Sequence, residues 1–507
     1  MKGTSSDPMK TKSLLLLFFA AVLFCLGLAE TLDPDFWWHL KVGESVFAFG
    51  VPHVDTFSFT VVGQRFLDQE WLSEVLLFLM NAWAGLPGLM ICFALISVIT
   101  FGCVSRTRAG LPLVAIPLSI LACYSSQFLW KARPQIFNIL LLAILLWILQ
   151  SVRDRRRSWK WLYALPFLSL AWVNMHSGNL MGLAVMALVL ACDALQSGVF
   201  HSHAEGILRL PELRHFTVAF LLSVLASLCN PAGYRLFVFP LQTMGSREFQ
   251  AFIQEWQTHD FHNPLSWGFL ALLLVGMMSL LLFPKKMDLA TALLYAGSMA
   301  GGLVARRHSP FFSVAATPVM IQMISSGITS ARWRTYFSGD FGQDRFRGVR
   351  FLLLPILAGS ILVGSFVWSQ HKIAGNSRSL RNFFPVKAVE ILKAKGLSKK
   401  RVFNDYAWGG YLIWNGFPVF IDGRTEIYGP KFFSDYVNTI NSRGWSPRLR
   451  SELDRWGIEY CLIAVRSPLR NALKMSGEWR EVYQEGPASI VARKPPAPFS
   501  LSLRGRA

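Results

Sequence analysis

Residues 13–40 read SLLLLFFAAVLFCLGLAETLDPDFWWHL. The first part is an apolar run; the second is an acid-proline-acid turn followed by an aromatic pair and a histidine. A hydrocarbon core of about 30 Å needs roughly 17–25 apolar residues in one helix, and the run at 12–30 supplies them. Lys2, Lys10 and Lys12 precede it, and it lacks the small-residue cleavage site of a secretory leader. The pattern predicts an uncleaved first membrane helix with its N-terminus in the cytoplasm.

Composition extends this reading to the whole chain. Of 507 residues, 53% are hydrophobic and 16% are charged, against about 25% charged in soluble domains. Disordered, collagen-like and disulfide-stapled classes are excluded by the same numbers. The seven cysteines, at 25, 92, 103, 123, 192, 229 and 461, fall mostly in apolar runs without CxxC or zinc spacing, and read as small core residues.

Ten further apolar runs lie near 87–105, 110–130, 135–151, 160–175, 178–196, 215–232, 265–284, 288–304, 309–327 and 350–369. With the first they predict eleven crossings. The net charge of +20 then becomes a topology signal, because Lys and Arg accumulate in cytoplasmic loops. Segment 70–86 decides the parity. If it lies in the interface as an amphipathic helix, the basic clusters at Arg106/Arg108, Arg153–Lys160, Lys285/Lys286 and Arg332–Arg350 all fall inside. If it spans, the Arg153–Lys160 cluster falls outside, so the interfacial reading is preferred. Arg306 and Arg307 remain outside as exceptions.

The expected fold is mainly α: a polytopic helical bundle over 1–370, with 31–86 as a large first outer loop, followed by an extracytoplasmic α/β domain over 371–507. In the latter, Pro385–Lys395 and Ser446–Trp456 have helical spacing. Arg401–Phe403, Tyr460–Val465 and Ser489–Ala492 read as strands, and Gly409–Trp414 and Pro418–Ile421 as short apolar runs.

The first outer loop is acidic in a basic chain: Asp33, Asp35, Glu44, Asp55, Asp68, Glu70 and Glu74 against Lys41 and Arg65. Asp33 and Asp35, two residues apart across a proline, suit a divalent-metal site or a general base. They equally suit solvation of the helix exit, with Trp37 and Trp38 anchoring the interface. Asp68 and Glu70 stand where acidic residues favour a helix N-terminus. His39 shares a helical face with Asp35. In Phe420–Gly429, Asp422 and Arg424 flank Gly423, an arrangement suited to a tight turn locked by side chains or to an acceptor-binding lip. No nucleotide-binding, hydrolase or nucleic-acid module is present.

The pattern Asp35-Phe-Trp-Trp-His39, Gly43-Glu44, Val51-Pro52, Asp55–Phe59 and Asp68-Gln-Glu70-Trp71-Leu72 resembles the first outer loop of the GT-C class of membrane glycosyltransferases. Arg133-Pro134-Gln135, Trp172-Val173-Asn174-Met175-His176, Glu255-Trp256, and Asn404–Trp414 with Phe420–Gly429 resemble a bacterial group within or near that class. The resemblance implies transfer of a sugar from a polyprenyl-phosphate-linked donor to an extracytoplasmic glycan, lipid or protein acceptor at the inner membrane. It implies Asp35 as base with Asp33 second, and Glu70 and Glu255 as further carboxylates. Arg133, Arg306 and Arg307 would hold the donor phosphate, and His39, His176, Asp422 and Arg424 would contact substrate. The class divides on metal dependence, so Mg or Mn at Asp33 and Asp35 stays open. A transporter or lipid flippase, or a non-catalytic envelope-assembly protein, is the alternative from another class.

Overall fold

A computed structural model describes residues 8–199, 206–238, 253–338 and 347–494. All eleven apolar runs coincide with helices. These are α1 (Pro8–Gly27), α3 (Trp71–Thr107), α4 (Pro112–Ser125), α5 (Gln135–Arg153), α6 (Leu165–Met175), α7 (Asn179–Ala194), α8 (Leu210–Ala226), α9 (Trp267–Leu282), α10 (Leu289–Val304), α11 (Ser309–Gly327) and α13 (Arg347–Phe383). The remaining helices of this part are α2 (Phe36–Phe49) and α12 (Ala331–Phe337). Among the described residues, four helical stretches are long and apolar enough to cross a membrane: Trp71–Thr107, Gln135–Arg153, Asn179–Gly198 and Pro264–Leu282. Three shorter apolar helices accompany them. Part of the predicted basic loop between Arg332 and Arg350 lies outside the described residues, at 339–346.

The chain separates into two compact units. The first holds the described residues of Met1–Ala29, Leu86–Pro240 and Gln250–Ile373; the second holds those of Glu30–Gly85 and Ala374–Ala507. The expected partition put 31–86 with the membrane helices, whereas here this stretch groups with the C-terminal segment. The reason is backbone pairing. Phe59 N donates to Val419 O (3.1 Å), Val419 N donates to Phe57 O (3.1 Å), and Thr60 Oγ1 donates to Phe420 O (2.8 Å). Gly85, at φ 62° and ψ −169°, breaks α3 where the first unit begins.

In the helical unit, small residues allow close approach in the manner of membrane helices. A Cβ on Gly27 would lie 2.1 Å from Ser97 Oγ, which donates to Leu23 O (2.9 Å). Arg153, expected as part of an exposed basic cluster, is instead buried. It donates to Asp193 Oδ1 (2.8 Å) and Asp288 Oδ1 (2.6 Å), closing α5, α7 and the start of α10 together.

In the second unit the α/β expectation holds. The helices α14 (Val386–Ala394), α15 (Gly409–Trp414), α16 (Thr425–Ile440), α17 (Pro447–Arg455) and α18 (Pro468–Met475) accompany four strands. The strands β1 (Val402–Asn404), β2 (Tyr460–Ala464), β3 (Trp479–Glu485) and β4 (Ala488–Arg493) form a sheet ordered β1-β2-β4-β3. The β1/β2 pair is parallel and the other two are antiparallel. Pro418–Ile421 contributes only isolated bridges through Val419. α2 packs on α15, and Trp37 is buried in an aromatic cluster, 5.1 Å from Tyr411 and 5.8 Å from Phe384 between ring centroids. Trp37 is therefore a core residue of this unit, not the interfacial anchor its position suggested. An indole with a buried apolar body stabilises such a cluster beyond its area alone.

Candidate functional site

Residues 33–39 are shaped by their own short-range bonds. Asp33 Oδ1 accepts Asp35 N (2.9 Å), an Asx turn that delivers Asp35 to the N-cap of α2. His39 N then donates to Asp35 O (3.2 Å) as the helix starts. Asp33 is buried and Asp35 half-buried. The two carboxylates thus divide their structural roles: Asp33 sets the turn and Asp35 stands at its end. The Asp35 carboxylate lies against the glycine of the Asp422-Gly423-Arg424 turn. A Cβ on Gly423 would sit 1.6 Å from Asp35 Oδ1, so no other residue fits there without displacing the carboxylate.

Behind this turn, His39 Nδ1 lies 2.7 Å from Glu74 Oε1, both side chains being buried. Glu74 acts on the Asp68 carboxyl, which burial pushes up to about 6. Asp68 Oδ1 also accepts Glu70 N (3.1 Å), and Glu70 O accepts Ser73 Oγ (2.9 Å) and Glu74 N (3.1 Å). Asp68 and the Glu70 backbone therefore start α3, as the capping alternative anticipated. Glu74, counted in the loop but not singled out, is the carboxylate that ties His39 to Asp68. The pair is 35 residues apart, beyond any periodic signal.

Asp422 and Arg424 are fully buried and satisfied by one another. Arg424 donates Nε to Asp422 Oδ1 (2.8 Å), Nη2 to Asp422 Oδ2 (2.7 Å) and Nη1 to Asp55 Oδ1 (2.7 Å), while Tyr428 Oη donates to Asp422 Oδ2 (2.6 Å). Phe57 and Phe66 each lie 5.2 Å from the guanidinium carbon. Burial would push the Asp422 carboxyl up, but the Arg424 charge and these bonds hold it below the ordinary value. The bonds fit the locked-turn alternative for Asp422 and Arg424. Asp55, the third member, belongs to the acidic first outer loop, but its pairing with Arg424 was not foreseen.

The helical unit holds a second cluster. Arg133 Nη1 lies 3.0 Å from Glu255 Oε1, and the Arg307 guanidinium sits 4.3 Å from the Trp256 ring centroid. Arg306 N donates to Gln257 O (3.0 Å), and its guanidinium lies 5.8 Å from the Phe128 ring. Burial would raise the Glu255 carboxyl, but Arg133, Arg307 and Lys131 outweigh it and hold it below its usual value. His176 caps α6 and its Nδ1 accepts Gly178 N (2.8 Å). Burial, reinforced by Arg307 and Arg133, pushes its imidazole down to about 3. A neutral ring accepting at Nδ1 carries its proton on Nε2. Arg133, Arg307 and Lys131 thus act together on the Glu255 carboxylate. Arg133, His176, Glu255, Arg306 and Arg307 belong to this unit, and Asp33, Asp35, His39 and Glu70 to the other.

Among the described residues no three His, Cys, Asp or Glu side chains are grouped to hold a metal ion. At the Asp33–Asp35 turn, Asp33 Oδ1 is engaged as the cap.

Solved structures share this architecture. The archaeal oligosaccharyltransferase AglB from Archaeoglobus fulgidus, in complex with an inhibitory peptide and a dolichol-phosphate, matches with a TM-score of 0.53 and 8% identity. That match covers 97% of this chain and 75% of AglB. ArnT from Cupriavidus metallidurans, bound to undecaprenyl phosphate, matches with 0.52 and 13% over 98% of this chain and 99% of ArnT. A variant of the arabinofuranosyltransferase AftD from Mycobacteria matches with 0.52 and 14% over 97% of this chain and 42% of AftD. The chain has the GT-C fold. No family model matches it, and no curated protein does. The GT-C resemblance of the outer-loop motifs thus agrees with the helical core and the small C-terminal sheet.

Proposed function

We propose that this GT-C-fold chain is a membrane glycosyltransferase. It moves a sugar from a polyprenyl-phosphate-linked donor to an acceptor outside the cytoplasm, in the bacterial inner membrane with the N-terminus inside. The observation that carries the reading is Asp35: the third carboxylate after the first helix, half-buried at a helix N-cap, held by the Asp33 turn and faced by a glycine with no room for a side chain. The fold likeness to ArnT and AglB, whose structures hold undecaprenyl phosphate and a dolichol-phosphate, supports the donor class.

In the proposed reaction Asp35 takes the proton of the acceptor hydroxyl as its oxygen attacks the anomeric carbon. The bond from that carbon to the phosphate oxygen breaks, its electron pair leaves on the phosphate, and the sugar inverts. A phosphate leaves without help from a strong acid. Arg133 and Arg307 are assigned to the donor phosphate through charge-assisted bonds. Arg306, whose backbone is engaged with Gln257, stands second to them.

The test is transfer by the full chain in nanodiscs, using a radiolabelled undecaprenyl-phosphate-linked sugar with a membrane glycan extract as acceptor. Wild-type turnover in Asp35→Asn would refute the assignment of the base.

A further inference from the structure

The second unit contains a cavity that none of the roles above uses. It measures about 310 Å³ and opens between α16 and α17. This is the lower end of the range for small-molecule sites. Phe420, Tyr428, Phe432 and Trp456 supply aromatic faces, and Lys431, Asp435, Glu452 and Arg455 supply the charged rim.

Three features define what would fill it. First, the aromatic rings are fixed. Trp456 meets Phe420 and Phe432 edge-on at 5.8 and 6.0 Å, and its Nε1 donates to Glu452 Oε1 (3.1 Å). Tyr428 and Phe432 stack at 5.4 Å, and Tyr428 Oη is pinned to the buried Asp422. Rigid rings make stacking platforms at low entropic cost. Second, the rim is charge-balanced, two cations against two carboxylates, so it offers donors and acceptors without selecting an ion. A phosphate or nucleotide would meet Asp435 and Glu452 as like charges. Third, Phe420, Trp456 and Phe432 combine buried bodies with an open rim: Phe420 is buried, while Phe432 and Trp456 are half-buried. Aromatic faces beside paired hydrogen-bonding groups complement the apolar face and the hydroxyl edge of a sugar ring.

We propose that this cavity binds one residue of a neutral glycan chain. Its identity as the acceptor of transfer rests on the reading above; the binding itself does not. The cavity and Asp35 are joined through a short stretch of chain. Phe420 and Tyr428 line the cavity, and Gly423, between them in sequence, faces the Asp35 carboxylate.

The experiment is saturation-transfer NMR and Trp fluorescence titration of the full chain in detergent, with maltohexaose, chitotetraose and mannohexaose as separate probes and no donor present. At least one probe binds saturably. Trp456→Ala weakens it by at least about tenfold, and Asp435→Asn, a milder change at the half-buried rim, by several-fold. Unchanged melting of Asp435→Asn keeps the comparison interpretable if Trp456→Ala unfolds. Binding by none of the three probes, or binding indifferent to both variants, overturns the proposal. A chain that binds glycan but transfers no sugar therefore breaks the transferase reading alone.

Discussion

The two charged clusters of this protein are built on opposite terms. Around Arg424, a guanidinium and two carboxylates are wholly buried, and the bonds they make are to each other, to the local backbone, to Ser58 and to Tyr428. Around Arg133, Arg307 and Glu255 the charges keep partial exposure. A buried network is costly to assemble and costly to break, because desolvation offsets most of its attraction until a partner is removed. A half-exposed one contributes little stability. Residue type does not separate them, since both contain arginine and acid. Burial does.

The largest expected effect breaks the closed cluster. Arg424→Met leaves Asp55 and Asp422 buried without a counterion and destabilises the chain by about 3–5 kcal/mol, read as a fall in the melting temperature in detergent. A variant as stable as wild type would show that the cluster is not closed. Asp35→Asn is expected to lower transfer by about 10²–10⁴-fold while leaving melting unchanged, separating the reactive carboxylate from the structural ones beside it.

Next comes the buried Asp68 carboxyl. Burial holds it at about 6 in the folded chain, against an ordinary value of 3.8. The stability this group contributes is complete below the lower value and is lost as the pH rises through the higher one. Between about pH 4 and 7 wild type should lose on the order of 2 kcal/mol that Asp68→Asn does not, followed by urea unfolding. Equal slopes in the two proteins would mean that burial does not raise this carboxyl. The smallest effect probes the open cluster: Arg307→Gln should weaken undecaprenyl phosphate binding by about tenfold in native mass spectrometry, with melting shifted by less than about 1 kcal/mol. A large loss of stability would move this cluster into the same class as Arg424.

Much of this was legible in the sequence, because hydropathy and period report on single elements. The eleven apolar runs fall on helices, and α14, α17, β1, β2 and β4 stand where their patterns indicated. The elements not foreseen carry mixed signals. α16 contains Gly429 at φ 78° followed by Pro430, which break the helical pattern, and β3 reads Trp-Arg-Glu-Val-Tyr-Gln-Glu, polar through most of its length. Within the site, the Asp33–His39 turn was visible because its bonds are local. The partners that decide the fate of each charge were not. His39 with Glu74, and Arg424 with Asp55, are tertiary pairs, and no periodicity connects them.

The pairing of Asp55 with Arg424 also sets a clock. The two residues are 369 positions apart, so at about 5–20 residues per second of synthesis the carboxylate waits roughly 20–70 s for its counterion. During that interval the acidic loop has neither its buried arginine nor the Val419 backbone that pairs with Phe57 and Phe59. A nascent chain stalled before residue 424 thus carries an unfinished loop, and Asp35 lacks the Gly423 floor beneath it. The surroundings of the Asp35 carboxylate are therefore complete only once the C-terminal segment has been made.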